Sequence, residues 1–228
     1  MSGNNSKKSR HLMMLTGAGV LAALALKPLS RLLIEARAMN ELKKRWGSQT
    51  SKRILANFRE EHEGLLKDGR KAKGIMRFHL ASARLGLALY RALVSELGEG
   101  QEAVDAAHEV IWEAFLKTPS VMLGYMLGRF KNPFEVYSGG VDWVNTHIFP
   151  FPGWHGTVVE VEGGVGFDYT SCFYDSYMRE EGAPELTPIF CDIDIRQAEV
   201  FPDQIEFQRT QTLSTGGGLC DFRYYRRG

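Results

Sequence analysis

The stretch Thr157-Val-Val-Glu-Val-Glu162-Gly-Gly-Val165-Gly-Phe-Asp-Tyr-Thr-Ser171-Cys172 decides the fold. Upstream of it apolar residues recur every three or four positions. Within it they alternate with polar ones around Gly163-Gly164, which predicts two strands, Thr157–Glu162 and Val165–Ser171, joined in a hairpin. Pro150-Phe-Pro-Gly153 breaks the helical pattern just before. Downstream, Cys172 to Glu181 reads as a short helix stopped by Gly182, and Leu186 to Val200 is of mixed pattern. Ile205–Leu213 and Leu219–Arg226 read as a second strand pair around the Ser214–Gly218 turn. Four strands in two hairpins predict a small antiparallel sheet with one face on apolar partners.

Those partners lie upstream. Leu32, Leu33, Ala36, Met39, Leu42 and Trp46 form an apolar helical stripe that Gly47-Ser48 interrupts and Ile54, Leu55 and Phe58 resume. Lys67-Asp-Gly-Arg-Lys-Ala-Lys73 reads as a basic, solvated connection. Ile75–Leu97, ended by Gly98, and Glu99–Leu116 form a helical hairpin, and Pro119–Phe149 is irregularly helical. The class is therefore α+β, an N-terminal helical half (30–149) packed on a small C-terminal antiparallel sheet (156–226) in a single domain, 30–228.

Residues 1–29 stand apart. A basic start (Lys7, Lys8, Arg10) precedes an apolar run, Leu12 to Leu26, followed by Lys27, Pro28 and Arg31. The run is shorter than the roughly 20 residues of a stable span. It could be a membrane-associated helix, a packing helix, or a signal peptide with Ala23-Leu-Ala25 before its cleavage point.

The 228 residues carry a net charge of +1, with 28 Lys and Arg against 27 Asp and Glu. That balance excludes a general nucleic-acid binder, which needs a basic excess. Three cysteines, an odd number, preclude full disulfide pairing and fit a reducing compartment. The expected setting is cytoplasmic, with membrane association through residues 12–26 as an addition. The composition points to no particular oligomeric state.

All three thiols fall in the last third, each near an aspartate. Cys172 follows a strand and opens a helix that Thr170 or Ser171 could cap, where backbone N–H groups favour thiolate. Cys191 in Ile189-Phe-Cys-Asp-Ile-Asp194 shares a face with Asp194 if the segment is helical, and a carboxylate there raises a thiol's pKa. Alternation in the last strand puts Cys220, Phe222 and Tyr224 on the inner face and Asp221 on the other. Arg209 follows Ile205 and Phe207 on an apolar face and so needs a partner, either Asp194 or an anionic ligand. Cys172, Cys191, Asp194, Cys220 and Asp221 are the candidate catalytic residues, with Arg209 and Tyr169 as substrate contacts. No paired Cys-x-x-Cys supports a metal centre and no dinucleotide or phosphate-loop motif is present, so neither metal nor cofactor is expected. His79 and His108 read as structural.

The runs Cys191-Asp-Ile-Asp194, Arg209-Thr-Gln-Thr-Leu-Ser-Thr-Gly216 and Cys220-Asp-Phe-Arg223, with the upstream helix Leu87-Ala-Leu-Tyr-Arg-Ala-Leu93, resemble the L-2-amino-thiazoline-4-carboxylic acid hydrolase family over roughly 74–226. The resemblance implies a hydrolase of small molecules that opens a cyclic amidine ring. Cys172 thiolate, or water activated by Asp194, would attack. Cys191 or Asp221 would protonate the departing heteroatom, and Arg209 would hold a substrate carboxylate. Two other uses fit the same residues: acid–base isomerisation or hydration–dehydration of an apolar substrate near a membrane, and a non-catalytic small-molecule binding module.

Overall fold

The computed structural model describes residues 27–227. The apolar run of residues 12–26, and with it the membrane-associated reading, lies outside them. Among the described residues no helix is long and apolar enough to cross a membrane.

The architecture is α+β, as the change of period predicts. Helix α1 (Lys27–Leu66) is broken at Gly47, whose φ of 72° only glycine adopts without strain. Helices α2 (Met76–Leu97) and α3 (Gln101–Ile111) form the expected hairpin across Gly98. The stretch read as one helix to Leu116 gives way after Ile111 to a π-helical turn, Trp112–Leu116, and the irregular region resolves into α4 (Lys117–Leu127) and α5 (Pro133–His147). Then come β1 (Trp154–Val159), β2 (Gly164–Cys172), α6 (Phe173–Glu180), α7 (Thr187–Glu199), β3 (Ile205–Gln208) and β4 (Cys220–Arg226). The sheet is antiparallel throughout in the order β1-β2-β4-β3.

Two apolar clusters fill the molecule. The larger joins α1, α2, α3, α6 and the start of α7 through Leu42, Ile54, Leu87, Leu93, Val110, Met178 and Leu186. The smaller lies under the sheet, where Phe167, Tyr169, Phe222 and Tyr224 meet Leu127 of α4 and Phe134 and Val141 of α5. Phe173 and Tyr174 at the start of α6 touch both. Strand register puts Phe167 opposite Phe222 and Tyr169 opposite Cys220. The inner face is thus aromatic, with the Phe167 and Phe222 rings stacked at 4.8 Å.

The C-terminal half also departs from the sequence reading in places. β1 starts and ends three residues early. β3 stops at Gln208 rather than Leu213, because the carboxylate of Asp221 captures the backbone of the following residues. The mixed segment before Val200 is helical, with Pro188 in its first turn, where the missing N–H costs nothing.

Candidate active site

Helix α7 is drawn tightly into the molecule by two glycines. A Cβ on Gly86 of α2 would stand 2.8 Å from the Phe190 ring, and one on Gly124 of α4 would collide with the Val200 carbonyl oxygen. Phe190 in turn stacks on Tyr174 at 4.4 Å. This seats Cys191 and Asp194, one turn apart on a single helical face, at the junction of the two apolar clusters. Arg209 arrives from the end of β3, its guanidinium above the Phe207 and Phe222 rings. Its Nη1 donates to the Cys191 carbonyl oxygen at 2.8 Å and to Asp194 Oδ2 at 3.4 Å, and its Nη2 lies 3.8 Å from Asp192. Of the two partners weighed for Arg209, the internal aspartate is present. The Arg209 side chain is only 8% exposed.

Burial dominates the electrostatics here. Asp194 is surrounded by protein, though 30% of its side chain meets solvent. Desolvation lifts its pKa from 3.8 to about 7. The nearby Arg209 charge pulls it down and Asp192 pushes it up, and neither outweighs burial. The thiols respond alike. Burial raises Cys191 to about 12, the Ser214 hydroxyl 3.3 Å from its sulfur works against this, and the Asp194 charge adds to it. Cys172 occupies the N-cap of α6 without closing a capping bond. The backbone N–H groups of Asp175 and Tyr174 and the Trp154 indole favour its thiolate, but burial wins and sets it at about 11. The helix-terminus argument alone predicted thiolate; desolvation overturns it. Cys220 is also raised, chiefly by burial, while its sulfur accepts the Leu213 N–H at 3.3 Å. Burial thus favours the thiol form of all three cysteines at neutral pH, and Asp194 is the one of these groups lifted to near neutrality.

Asp221 differs. It lies on the strand face opposite Cys220, as alternation requires, but it is covered rather than exposed. Its oxygens accept from the Thr210 and Gln211 N–H groups at 2.9 and 2.8 Å and from the Thr210 hydroxyl at 2.5 Å. Burial raises its pKa, but those donors together outweigh it and hold it below the usual carboxylate range. The carboxylate is therefore a poor proton donor and a good anchor. It fixes the loop 209–219, which returns through a 3₁₀ turn (Leu213–Thr215) and a left-handed Gly216. Tyr169 is buried on the inner face, and its hydroxyl donates to Asn145 Oδ1.

The loop also delivers a residue the sequence reading gave no role. Ser214 contacts Cys191 and is itself 2.9 Å from the Thr212 hydroxyl. Tyr137 and Tyr224, 4.6 Å apart, and Tyr174 and Tyr169 complete the surroundings of Asp194, and each feels its charge. The signal for Ser214 was its place inside the Arg209–Gly216 run. The sequence reading names Tyr169 as a substrate contact, whereas Tyr137, Tyr174 and Tyr224 carried no signal beyond being aromatic. His79 is fully buried, as a structural histidine should be. A carbonyl can only accept, so Nε2–H donates to Ile148 O at 2.6 Å and Nδ1 accepts from the Tyr174 hydroxyl at 3.0 Å. Burial depresses its pKa to about 4. Among the described residues no three His, Cys, Asp or Glu side chains group as metal ligands.

The family model for L-2-amino-thiazoline-4-carboxylic acid hydrolase matches residues 76–224, from the start of α2 into β4, and so spans Cys172, Cys191, Asp194, Arg209, Cys220 and Asp221. No curated protein and no solved structure matches the chain. With well over half its length covered, the chain belongs to the L-2-amino-thiazoline-4-carboxylic acid hydrolase family.

Proposed function

We propose that this chain hydrolyses a small cyclic amidine bearing a carboxylate, with 2-aminothiazoline-4-carboxylate as the first substrate to assay. The observation that carries this reading is the placement of Asp194, a carboxyl held by Arg209 on the same helical face as the Cys191 thiol, where burial lifts its pKa to about 7. Such a group is both base and acid at working pH. The ring carbon between sulfur and nitrogen is electrophilic. Asp194 takes a proton from water as the oxygen bonds to that carbon. The tetrahedral adduct then collapses, the bond to the ring sulfur or nitrogen breaks, and the departing heteroatom receives the proton from Asp194. One water is consumed and an open carbamoyl product is released. Arg209 acts here through Asp194, holding its orientation. Cys191, with Ser214, lines the reacting edge and shields the adduct. In place of the Asp221 role implied by resemblance, Asp194 supplies the returning proton.

A second reading makes Cys172 the attacking group. It is favoured by the N–H groups of Asp175 and Tyr174 that lean on its sulfur. A base must then remove the thiol proton during attack, and Asp194 is close enough to sense that sulfur's neighbours Tyr169 and Tyr174. A chromatographic assay of the purified chain and its variants separates the two. Turnover that disappears in Asp194→Asn and survives in Cys172→Ser supports attack by water. Loss in both assigns Cys172 as nucleophile. Full activity of Asp194→Asn overturns the reading.

A further inference from the structure

The connection between α1 and α2 is largely solvated, as its composition suggests, but it is pinned at two points. Arg84 of α2, 8% exposed, donates to Asp68 and to the Arg70 carbonyl oxygen, and Asp68 accepts the Arg70 N–H at 2.8 Å. Arg70 binds Glu181 at 2.8 Å and covers the Tyr177 ring. These pairs use up the local carboxylates. Lys71, Lys73 and Arg77 are left exposed, and among the described residues none of them has a carboxylate within 4 Å. Together with Arg70, Arg84, Ala72, Gly74 and Leu80 they line a groove of about 450 Å³. The 22-residue α2 begins at its edge with no acidic residue in its first turn. The Arg77 and Phe78 N–H groups there are already bonded to the Gly74 and Ile75 carbonyl oxygens, so the exposed side chains carry the available charge.

Three cations without a carboxylate partner thus line one concave, positive surface. A monocarboxylate would leave most of that charge unanswered, whereas a doubly charged group with several acceptor oxygens would meet it. We propose that this groove binds a phosphate-bearing ligand through Lys71, Lys73 and Arg77. The phosphate belongs either to a soluble compound or to a lipid headgroup. The site is independent of the hydrolytic reading.

The test is calorimetric titration of the full chain with inorganic pyrophosphate at low salt, paired with flotation on phosphatidylcholine vesicles with and without phosphatidic acid. Each is repeated on Lys73→Glu/Arg77→Glu, whose exposed positions leave the fold intact, as circular dichroism will check. The expected result is one saturable pyrophosphate site weakened by about tenfold or more in the variant. Phosphatidic-acid flotation that falls in the variant and is competed by pyrophosphate identifies a lipid headgroup. Flotation that is absent, or unchanged in the variant, beside weakened pyrophosphate binding identifies a soluble phosphate. Equal pyrophosphate affinity in the two proteins overturns the proposal, and so does the absence of any saturable binding.

Discussion

Arg209 reaches Asp194 at 3.4 Å without returning its pKa to the normal carboxylate range. The guanidinium is shared with the Cys191 carbonyl and Asp192, and desolvation outweighs it. Replacing Asp194 by Asn keeps the shape and an acceptor for Arg209 while deleting the charge. Asp194→Asn is expected to lower kcat by about 10²–10⁴-fold. Its stability at pH 8 should equal or exceed that of the wild type, because an ionised buried carboxylate is removed. Parallel kinetics and urea unfolding check both parts. A variant that is inactive because it is unfolded would contradict the assignment.

Asp194 and His79 pull stability in opposite directions with pH. The raised Asp194 favours folding while neutral, a contribution present below about pH 4 and lost as pH rises to about 7. The lowered His79 favours folding while neutral, a contribution present above about pH 6.5 and lost as pH falls to about 4. Between those limits the two slopes, each up to about 1.4 kcal/mol per pH unit, offset one another. The wild type should therefore be nearly flat there. Asp194→Asn should gain stability as pH rises through the same window, and His79→Gln should lose it. Identical profiles for wild type and Asp194→Asn would refute the Asp194 shift.

Burial of the thiols predicts slow labelling. A pKa of about 11 rather than 9 leaves Cys172 with about a hundredfold less thiolate at neutral pH, before access is considered. Iodoacetamide at pH 7.5 should leave native Cys172, Cys191 and Cys220 largely unmodified and alkylate all three in urea, as counted by mass spectrometry. Rapid modification of Cys172 alone in the native protein would restore the resting thiolate.

Asp221 tests the difference between an anchor and a proton donor. Asp221→Asn removes the charge that receives the Thr210 and Gln211 N–H groups and should cost about 1–3 kcal/mol. Activity should fall because Arg209 and Ser214 ride on that loop, but the pH profile of the remaining activity should be unchanged. Loss of one limb of the profile would mark Asp221 as a titrating catalytic acid.

Close packing of α7 gives the last expectation. Gly124→Ala drives a methyl group into the Val200 carbonyl, a backbone atom that cannot swing aside, and should destabilise the protein by about 3 kcal/mol. Wild-type stability in thermal unfolding would mean that α4 and α7 slide apart freely.

The switch of period at Thr157 was enough to read the α+β class and the inner face of β2 and β4, because strand alternation is a local property. The Cys191–Asp194 pairing followed from their spacing once the segment is helical, and Asp194 was named as a partner for Arg209 from an arginine's need for one. The end of β3 was misread because apolar alternation runs on to Leu213 while the competing bonds come from Asp221, further along the chain. The Cys172 protonation state was misread because helix N-termini can be seen in sequence and depth of burial cannot. Tyr137, Tyr174 and Tyr224, from α5, α6 and β4, all feel the Asp194 charge, a convergence that only tertiary packing creates.

The family match starts at Met76, yet α1 ends ten residues earlier and is sewn to α2. Leu42, Ile54 and Phe58 share a cluster with Leu87 and Leu93, Arg53 pairs with Glu96, and the Asn57 amide donates to Ser95 at 2.8 Å. A fragment cut at the match boundary would bare the face of α2 that α1 covers and would be recovered as aggregate. The evolutionary unit and the folding unit of this protein have different edges, and expression work should follow the second.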